Sequence, residues 1–521
     1  MFRTCQQILH NTRNRTFPSH HSFVWNNTFH RKRNISVAIV GSGPSGFYTA
    51  KYLQKLAFVH GIHIFERLPT PYGLVRSGVA PDHPEVKNVE NDFAKVMEVG
   101  DDGKCGMEYF GNVNVGVDLH LDELREVYDV VVLAYGCSSD RPLKIKGSDL
   151  KGVMSAREFV AWYNSHPDYE YLTDEIRDIL GGTDENEEPH AVLNKRVVII
   201  GQGNVALDCA RMLAKGGKGL YATDVASHFA EMPILKNGLK DISVVGRRGH
   251  VQGKFTIKEL RELTKLAAEG HNTRFVVLSD ELELGLNESS EEELKNSRPK
   301  LRIDKLLRTN ATSRQSEEDN VKVNEEKKIN LRFLLSPIEF LPKTSDRVSY
   351  VGSVVFERTR LEGKPGEQSA KGIGSKEELV ADLVLTSIGY RGKPIRGLEK
   401  FFDNQNGIVR NENGKVSEGV YVSGWLKRGP SGIIGTNIGD ARETVATISH
   451  DHEMGTLRSN KDINGAYKHI LNLLDERKIG RVDWNAFMTI DKVEKDSERL
   501  RVKEQVREKI TSKSDMLEII R

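Results

Sequence analysis

Gly41, Gly43 and Gly46 are the residues whose spacing first suggests chemistry, in the run Val37-Ala-Ile-Val-Gly-Ser-Gly-Pro-Ser-Gly46. In a G-x-G-x-x-G turn the first glycine permits the bend and the second admits a pyrophosphate to the backbone. The third lets a helix pack closely on a strand. The helix that opens there aims its free N–H groups and the positive end of its dipole at the phosphates. Glu66 follows, 25 residues after Gly41, at the end of Gly61-Ile-His-Ile-Phe-Glu66. A carboxylate in that place accepts hydrogen bonds from ribose hydroxyls. Gly201, Gly203 and Ala206 repeat the pattern as G-x-G-x-x-A, the alanine slightly widening the helix–strand contact. The strand after this second turn, Ile242-Ser-Val-Val-Gly246, ends in Arg247 and Arg248 instead of an acid. Forked guanidinium groups favour a 2′-phosphate over free hydroxyls, so the second turn is expected to take NADP(H) rather than NAD(H).

Each turn needs a strand before it and a helix after it, and the sequence supplies both twice. Val37–Val40 and Arg196–Ile200 are short apolar runs of the kind that make buried parallel strands. Phe47–Leu56 and Val205–Ala214 read as the helices. Tyr128–Gly136 is expected to extend the first sheet, and Ala381–Gly389 is its counterpart. Val86–Val99 reads as an amphipathic helix and Asn112–Val117 as a strand. Residues 215–240 lengthen the second unit before its arginine pair. The fold class is therefore α/β, with two Rossmann-like dinucleotide-binding units.

Other segments surround these units. Arg67 to Glu85 holds four prolines and two glycines, too broken for a regular element and too apolar for a linker. A loop shaped against a cofactor fits it. His83, between Asp82 and Pro84, reads either as a titrating site residue or as a solvated loop residue. Thr256 is a candidate N-cap, and Glu259 three residues on serves either a capping box or a nicotinamide ribose. Gly419–Trp425 and the glycine-rich run to Gly435 lead into a helical run over Asp440–His450, with Trp425 expected against a cofactor. Glu281–Lys328 is charged and reads as a surface insertion with one helix and a disordered stretch. It carries a basic cluster of Arg298, Lys300, Arg302, Lys305 and Arg308, either a solvated helix face or a surface for an acidic protein.

The 521 residues are 38% apolar and 29% charged, a globular composition. No apolar run approaches the roughly 20 residues of a membrane helix. A net charge of +2 offers no argument for nucleic acid. Residues 1–33 nonetheless hold six Lys and Arg and no acid, and Glu66 is the first acidic residue of the chain. That leader fits an organelle import segment, cleaved before Ile35. Cys5, Cys105, Cys137 and Cys209 form no Cys-x-x-Cys pair, so zinc, an iron–sulfur cluster and a redox dithiol lack support, and no metal site is expected. Their sparseness fits a reducing compartment.

Five motifs together resemble the mitochondrial adrenodoxin reductase family of NADPH–ferredoxin reductases. They are Val-Gly-Ser-Gly-Pro-Ser-Gly-Phe-Tyr-Thr-Ala (40–50), Gly-Leu-Val-Arg-Ser-Gly-Val-Ala-Pro-Asp-His-Pro-Glu (73–85), Gly-Gln-Gly-Asn-Val-Ala-Leu-Asp (201–208), Gly-Arg-Arg-Gly (246–249) and Gly-Trp-Leu-Lys-Arg-Gly-Pro-Ser-Gly (424–432). The likeness spans roughly residues 35 to 510. It implies a targeting segment over 1–34, a discontinuous FAD domain (35–140 and 386–521, the latter ending in a charged helical tail) and an NADP domain over 141–385 inserted into it. It places FAD at the first turn, with Ser45, Glu66, Leu74, Val115, Trp425, Gly432, Ile433 and Ile434 in FAD-contact positions. NADPH falls at Gln202, Gly203, Asn204, Val205, Arg247, Arg248, Glu259 and Gly432. His83 and Asp208 match residues that relay charge between flavin and partner, and Arg261, Arg298 and Arg302 match those facing an acidic [2Fe–2S] ferredoxin. A mitochondrial-matrix monomer is implied, with peripheral association at the inner membrane left open. Ser45 stands where the family usually has alanine. The 302–308 segment departs from the family's basic pattern, and residues 309–328 are more acidic.

Two dinucleotide units that share a glycine-rich loop suit a flavin stacked against a nicotinamide for hydride transfer. With no dithiol, electrons are expected to leave singly to a ferredoxin, serving P450, iron–sulfur or haem pathways. The rival readings are an electron-entry flavoprotein of the amidotransferase or pyrimidine-reducing type, a flavin monooxygenase, and a redox-inactive FAD-binding protein. Proteins of the first type bring cysteine-rich cluster segments that this sequence lacks.

Overall fold

The computed structural model describes residues 34–98, 105–181, 194–316, 326–345, 348–457, 462–496, 500 and 505–521. The acid-free leader, Cys5 and the expected cleavage region before Asn34 lie outside them.

Strand β1 (Ile35–Val40) is buried at all six residues, as an apolar run covered on both faces should be. Helix α1 (Pro44–Leu53) follows it, then β2 (Val59–Phe65), β3 (Gly106–Phe110) and β4 (Val130–Leu133). The strand expected over Asn112–Val117 falls instead at β3. Asn112 adopts a φ of 59° and Gly116 one of 102°, and Asn114 N–H donates to Asp118 Oδ2 at 2.7 Å, so the alternating valines lie in turns rather than on a pleat. The helix expected over Val86–Val99 is two pieces, Pro84–Lys87 and Val89–Glu98.

The chain then builds a second sheet from β5 (Val153–Ser155), β6 (Lys195–Ile200), helix α2 (Asn204–Lys215), β7 (Leu239–Val245), helix α3 (Ile257–Lys265) and β8 (Thr273–Leu278). Helices Ser279–Leu284, Glu288–Lys295 and α4 (Arg298–Thr309) lead to β9 (Ala311–Thr312) and β10 (Lys327–Arg332). The surface insertion expected over 281–328 is thus the crossover that feeds a central strand, and more than the one expected helix is found among its described residues. Residues 317–325, where the disordered stretch was expected, lie outside the described ones. Lys327 and Lys328 are buried in β10. Lys327 Nζ donates to the Leu213 and Ala214 carbonyls at 3.2 and 3.0 Å, satisfying the last turn of α2, and burial pushes its pKa down to about 8.

An antiparallel three-stranded sheet follows, β11 (Leu335–Ser345), β12 (Val348–Glu362) and β13 (Ser369–Val380), before β14 (Leu383–Thr386) rejoins the second sheet. The chain returns to the first sheet with β15 (Lys415–Ser417) and β16 (Val420–Val422), then helices α5 (Thr436–Glu453), α6 (Ile463–Glu476) and α7 (Trp484–Asp496). The first sheet runs β15-β16-β4-β1-β2-β3, parallel except for β15. The second runs β9-β8-β10-β7-β6-β14-β5 and is parallel throughout. Both turns of the Gly pattern therefore leave central strands at the carboxyl edge, where α/β sheets bind ligands.

The chain passes between units at Ser139–Asp140 and again at Tyr390–Arg391, and these two stretches pair with each other. The tail reinforces that joint. Arg76 pairs with Glu494 at 2.5 Å, and Lys509 with Asp224 at 2.7 Å, all four buried. No helix among the described residues is long and apolar enough to cross a membrane.

Candidate functional site

At the first turn Gly41 takes a φ of 108°, and a Cβ there would lie 2.6 Å from the Ala134 carbonyl. A Cβ on Gly46 would sit 2.0 Å from the Gly41 carbonyl oxygen, so α1 runs against the strand as only glycine allows. A Cβ on Gly43 would meet nothing within 4 Å. That opening above the N-terminus of α1 is the cradle a pyrophosphate requires, and Pro44 at N1 surrenders no needed N–H. Glu66 accepts from Ser42 N–H at 3.1 Å and Ser42 Oγ at 2.7 Å through Oε2, and from Leu68 N–H at 3.2 Å through Oε1. The carboxylate thereby fixes the turn and keeps lone pairs for ribose hydroxyls. These residues fit the adenosine diphosphate half of a dinucleotide.

The loop 423–435 covers this turn. Ser45 Oγ donates to Ser423 Oγ at 2.9 Å, so the serine that departs from the family pattern holds the covering loop. Asp440 accepts from Gly424 N–H and from Ser423 Oγ (3.2 Å), and lies 3.3 Å from Lys427 Nζ. Trp425 is half-buried; its indole N–H donates to the Ser431 carbonyl at 3.2 Å, and its ring centre lies 5.6 Å from that of Tyr390. Gly432 and Ile433 are exposed and Ile434 half-buried, and Leu74 on the 67–85 loop is exposed as well. The Val115 side chain is buried in the core cluster that includes Ala38, Val40 and Phe65 of the first sheet.

At the second turn Gly201 has a φ of 129°, and a Cβ there would lie 2.1 Å from the Ser387 carbonyl. Gly203, like Gly43, opens onto space clear of protein atoms within 4 Å. Ala206 is fully buried. Gln202 donates to the Arg332 carbonyl at 2.7 Å, and Asn204 Oδ1 accepts from Thr256 N–H at 2.9 Å, so both side chains shape the turn. Val205 is half-buried on the first turn of α2. Thr256 is the N-cap of α3 by position, but its hydroxyl donates to the Glu259 carboxylate rather than accepting a backbone N–H. Arg247 is exposed and Arg248 half-buried, and neither forms an ion pair with the described residues. Burial and the neighbouring Arg247 charge lower the Arg248 pKa. Glu293 is the acid that opposes this lowering, and two adjacent guanidinium groups without an ion pair among the described residues have the chemistry an anion site needs. Their backbone is pinned by the antiparallel sheet: Thr359 Oγ1 donates to the Arg247 carbonyl at 2.7 Å, and Leu335 N–H to that of Gly246 at 3.0 Å.

The two residues singled out for charge relay meet between the units. His83 is buried, and its Nε2 lies 2.8 Å from Glu262 Oε2 on α3. Arg211 on α2 hydrogen-bonds Asp82 at 2.8 and 3.1 Å, while its Nη1 lies 3.1 Å from the same Glu262 oxygen and 2.8 Å from Asp208, both off-axis and so ion pairs without a hydrogen bond. Lys215 adds a second cation on Asp82 at 2.9 Å. Burial opposes charge on Glu262, yet the His83 hydrogen bond and the Arg211 charge outweigh it and lower its pKa. Burial raises the Asp208 pKa despite Arg211 and His83. The sequence reading missed Arg211 and Glu262. Their one sequence signal is helical spacing, Arg211 three residues after Asp208 and Glu262 three after Glu259.

The basic residues divide into two groups. Arg261 on α3 and Arg298 and Arg302 on α4 are exposed, on packed helices, and form no ion pair with described residues. Lys300 is taken up by Glu293 at 2.5 Å and Arg308 by Glu283 and Asp304 at 2.6 and 2.9 Å.

Comparison with known proteins agrees with this geometry. Residues 35–335 match the family model of the pyridine nucleotide-disulphide oxidoreductases. Mitochondrial NADPH:adrenodoxin oxidoreductase of Arabidopsis thaliana is 40% identical over 93% of this chain and 95% of that protein. The Homo sapiens protein of the same name is 37% identical over 94% and 93%. The solved structure of Mycobacterium tuberculosis FprA in complex with NADPH superposes with a TM-score of 0.79 at 35% identity, over 94% of this chain and 100% of that one.

Proposed function

This chain belongs to the NADPH:adrenodoxin oxidoreductase family, within the pyridine nucleotide-disulphide oxidoreductases, and on that premise we propose a division of labour among its residues. It is an oxidoreductase that binds FAD and NADP(H) and passes electrons from NADPH through FAD to a ferredoxin. FAD, when bound, supplies the exchange between a hydride taken from a nicotinamide and electrons given up one at a time.

Around that chemistry the protein binds, orients and excludes. Gly41, Gly43, Gly46 and Glu66 hold the adenosine end of FAD, with residues 35–140 and 386–521 forming its domain. Gln202, Gly203, Asn204, Val205, Arg247 and Arg248 hold NADPH on residues 141–385, and Glu259 sits where the nicotinamide ribose is expected. Ser45, Trp425 and Gly432–Ile434 contact FAD, Gly432 reaching NADPH as well. His83 and Asp208 carry charge and protons at its edge. The observation that carries this reading is the contrast of strand ends: a carboxylate fixed beside the first turn, and beside the second two adjacent guanidinium groups that form no ion pair among the described residues.

The exposed Arg261, Arg298 and Arg302 suit an acidic partner, and a mitochondrial [2Fe–2S] ferredoxin is the proposed one, feeding P450, iron–sulfur or haem synthesis. The mitochondrial names of the relatives and the acid-free leader support residence in the matrix. A monomer is proposed, with any membrane contact peripheral. The test is NADPH-driven reduction of cytochrome c with and without the organism's mitochondrial [2Fe–2S] ferredoxin. Strong dependence on the ferredoxin is expected; full activity without it rejects the partner.

A further inference from the structure

We propose that Arg211 is a positioning residue that ties the loop carrying His83 to the nucleotide-binding unit and so sets how His83, Glu262 and Asp208 converge. The inference deepens the reading above and rests on it. Arg211 is fully buried, yet it touches carboxylates from three places: Asp82 on the 67–85 loop of the first unit, Asp208 on its own helix, and Glu262 on α3. His83 is the chain neighbour of Asp82 and itself bonds Glu262. The guanidinium therefore closes a ring, Asp82–Arg211–Glu262–His83, across the seam between units. A guanidinium is the group for this place, because its planar fork bonds Asp82 through two nitrogens while Nη1 remains for Glu262 and Asp208. Its charge opposes the desolvation of all three carboxylates, alongside Lys215 on Asp82 and His83 on Glu262.

A residue that only stabilised the fold would lower thermal stability and nothing specific. One that positions the relay changes the chemical step far more than nucleotide binding, because Arg211 pairs with Asp82, Asp208 and Glu262 and with none of the residues assigned to NADPH. The experiment uses the full FAD-loaded chain with Arg211→Met and Arg211→Lys. Arg211→Met is expected to slow NADPH-driven bleaching of the flavin about tenfold while the NADP+ dissociation constant stays within about threefold. Hydrogen exchange over residues 74–90 should rise in the same variant, and Arg211→Lys should restore most of both effects. A folded Arg211→Met protein with wild-type bleaching, or one whose loss lies wholly in nucleotide affinity, overturns the proposal. If Arg211→Met does not fold, Asp82→Asn is combined with His83→Gln. The effect of Asp82→Asn should largely vanish in the His83→Gln background, and full additivity overturns the proposal. A wild-type flavin that NADPH does not bleach removes the functional reading itself, whatever Arg211 does.

Discussion

The two glycine turns share a backbone plan, and two of their differences separate them physically. At the third place the first turn has Gly46, where a Cβ would press to 2.0 Å of the Gly41 oxygen, whereas the second accommodates the buried methyl of Ala206. At the following strand end the first has Glu66 and the second Arg247 with Arg248. The first difference is steric and decides how close helix and strand approach. The second is electrostatic and, on the proposed reading, sets which nucleotide each turn prefers. A fold can thus be duplicated and its copies assigned different ligands by changing a strand end, while the turn keeps its phosphate-binding backbone.

The steric half of this comparison breaks most violently. Gly46→Ala should destabilise the first unit by roughly 3 kcal/mol or more, since the clash is with backbone and no side chain can swing away. The check is flavin retained on purification together with the urea midpoint; a yellow variant of native stability would refute the close approach. The electrostatic half comes next. Arg247→Ala with Arg248→Ala should narrow the NADPH-over-NADH preference in kcat/KM at least tenfold, about 1.4 kcal/mol, with flavin content unchanged. Undiminished discrimination would leave the pair as a solvated turn. Glu66→Gln tests the other strand end. It weakens the acceptor that holds Ser42, and FAD affinity should fall by about 1 kcal/mol while NADPH affinity does not move. Equal losses at both ligands would mean that the two turns are not independent.

These contrasts could be read in the sequence because each depends on residues close together in the chain. A glycine is demanded by the turn it makes, and a strand end lies next to its strand. The ring around Arg211 was not legible, since Arg211 and Asp82 stand 129 residues apart and His83 and Glu262 stand 179 apart. Only the packing of one unit on the other brings them together. The antiparallel sheet that pins Arg247 was missed for another reason. Its last strand, β13, is exposed along most of its length, so its sequence lacks the alternation that marks a half-buried strand. Lys327 and Lys328 misled in the opposite direction, because charge suggested surface where the chain enters a central strand. Lys327 is tolerated there because two helix-end carbonyls accept from its ammonium group.

The gentlest prediction is the reciprocal of the harshest. Ala206→Gly gives the second turn the first turn's third residue. If the second helix stands off from its strand, the smaller residue brings no closer contact and only loosens the helix. The expected loss is roughly 0.5–1 kcal/mol in stability, the usual difference between glycine and alanine in a helix. NADPH affinity should change by less than about threefold, because Gly203 and the arginine pair, not residue 206, are the residues proposed to hold the nucleotide. A much larger loss in denaturant midpoint would show that the Ala206 methyl is a packed part of the helix–strand contact. The two turns would then be equally tight, each filled in its own way, and the steric half of the contrast would disappear while the electrostatic half stood.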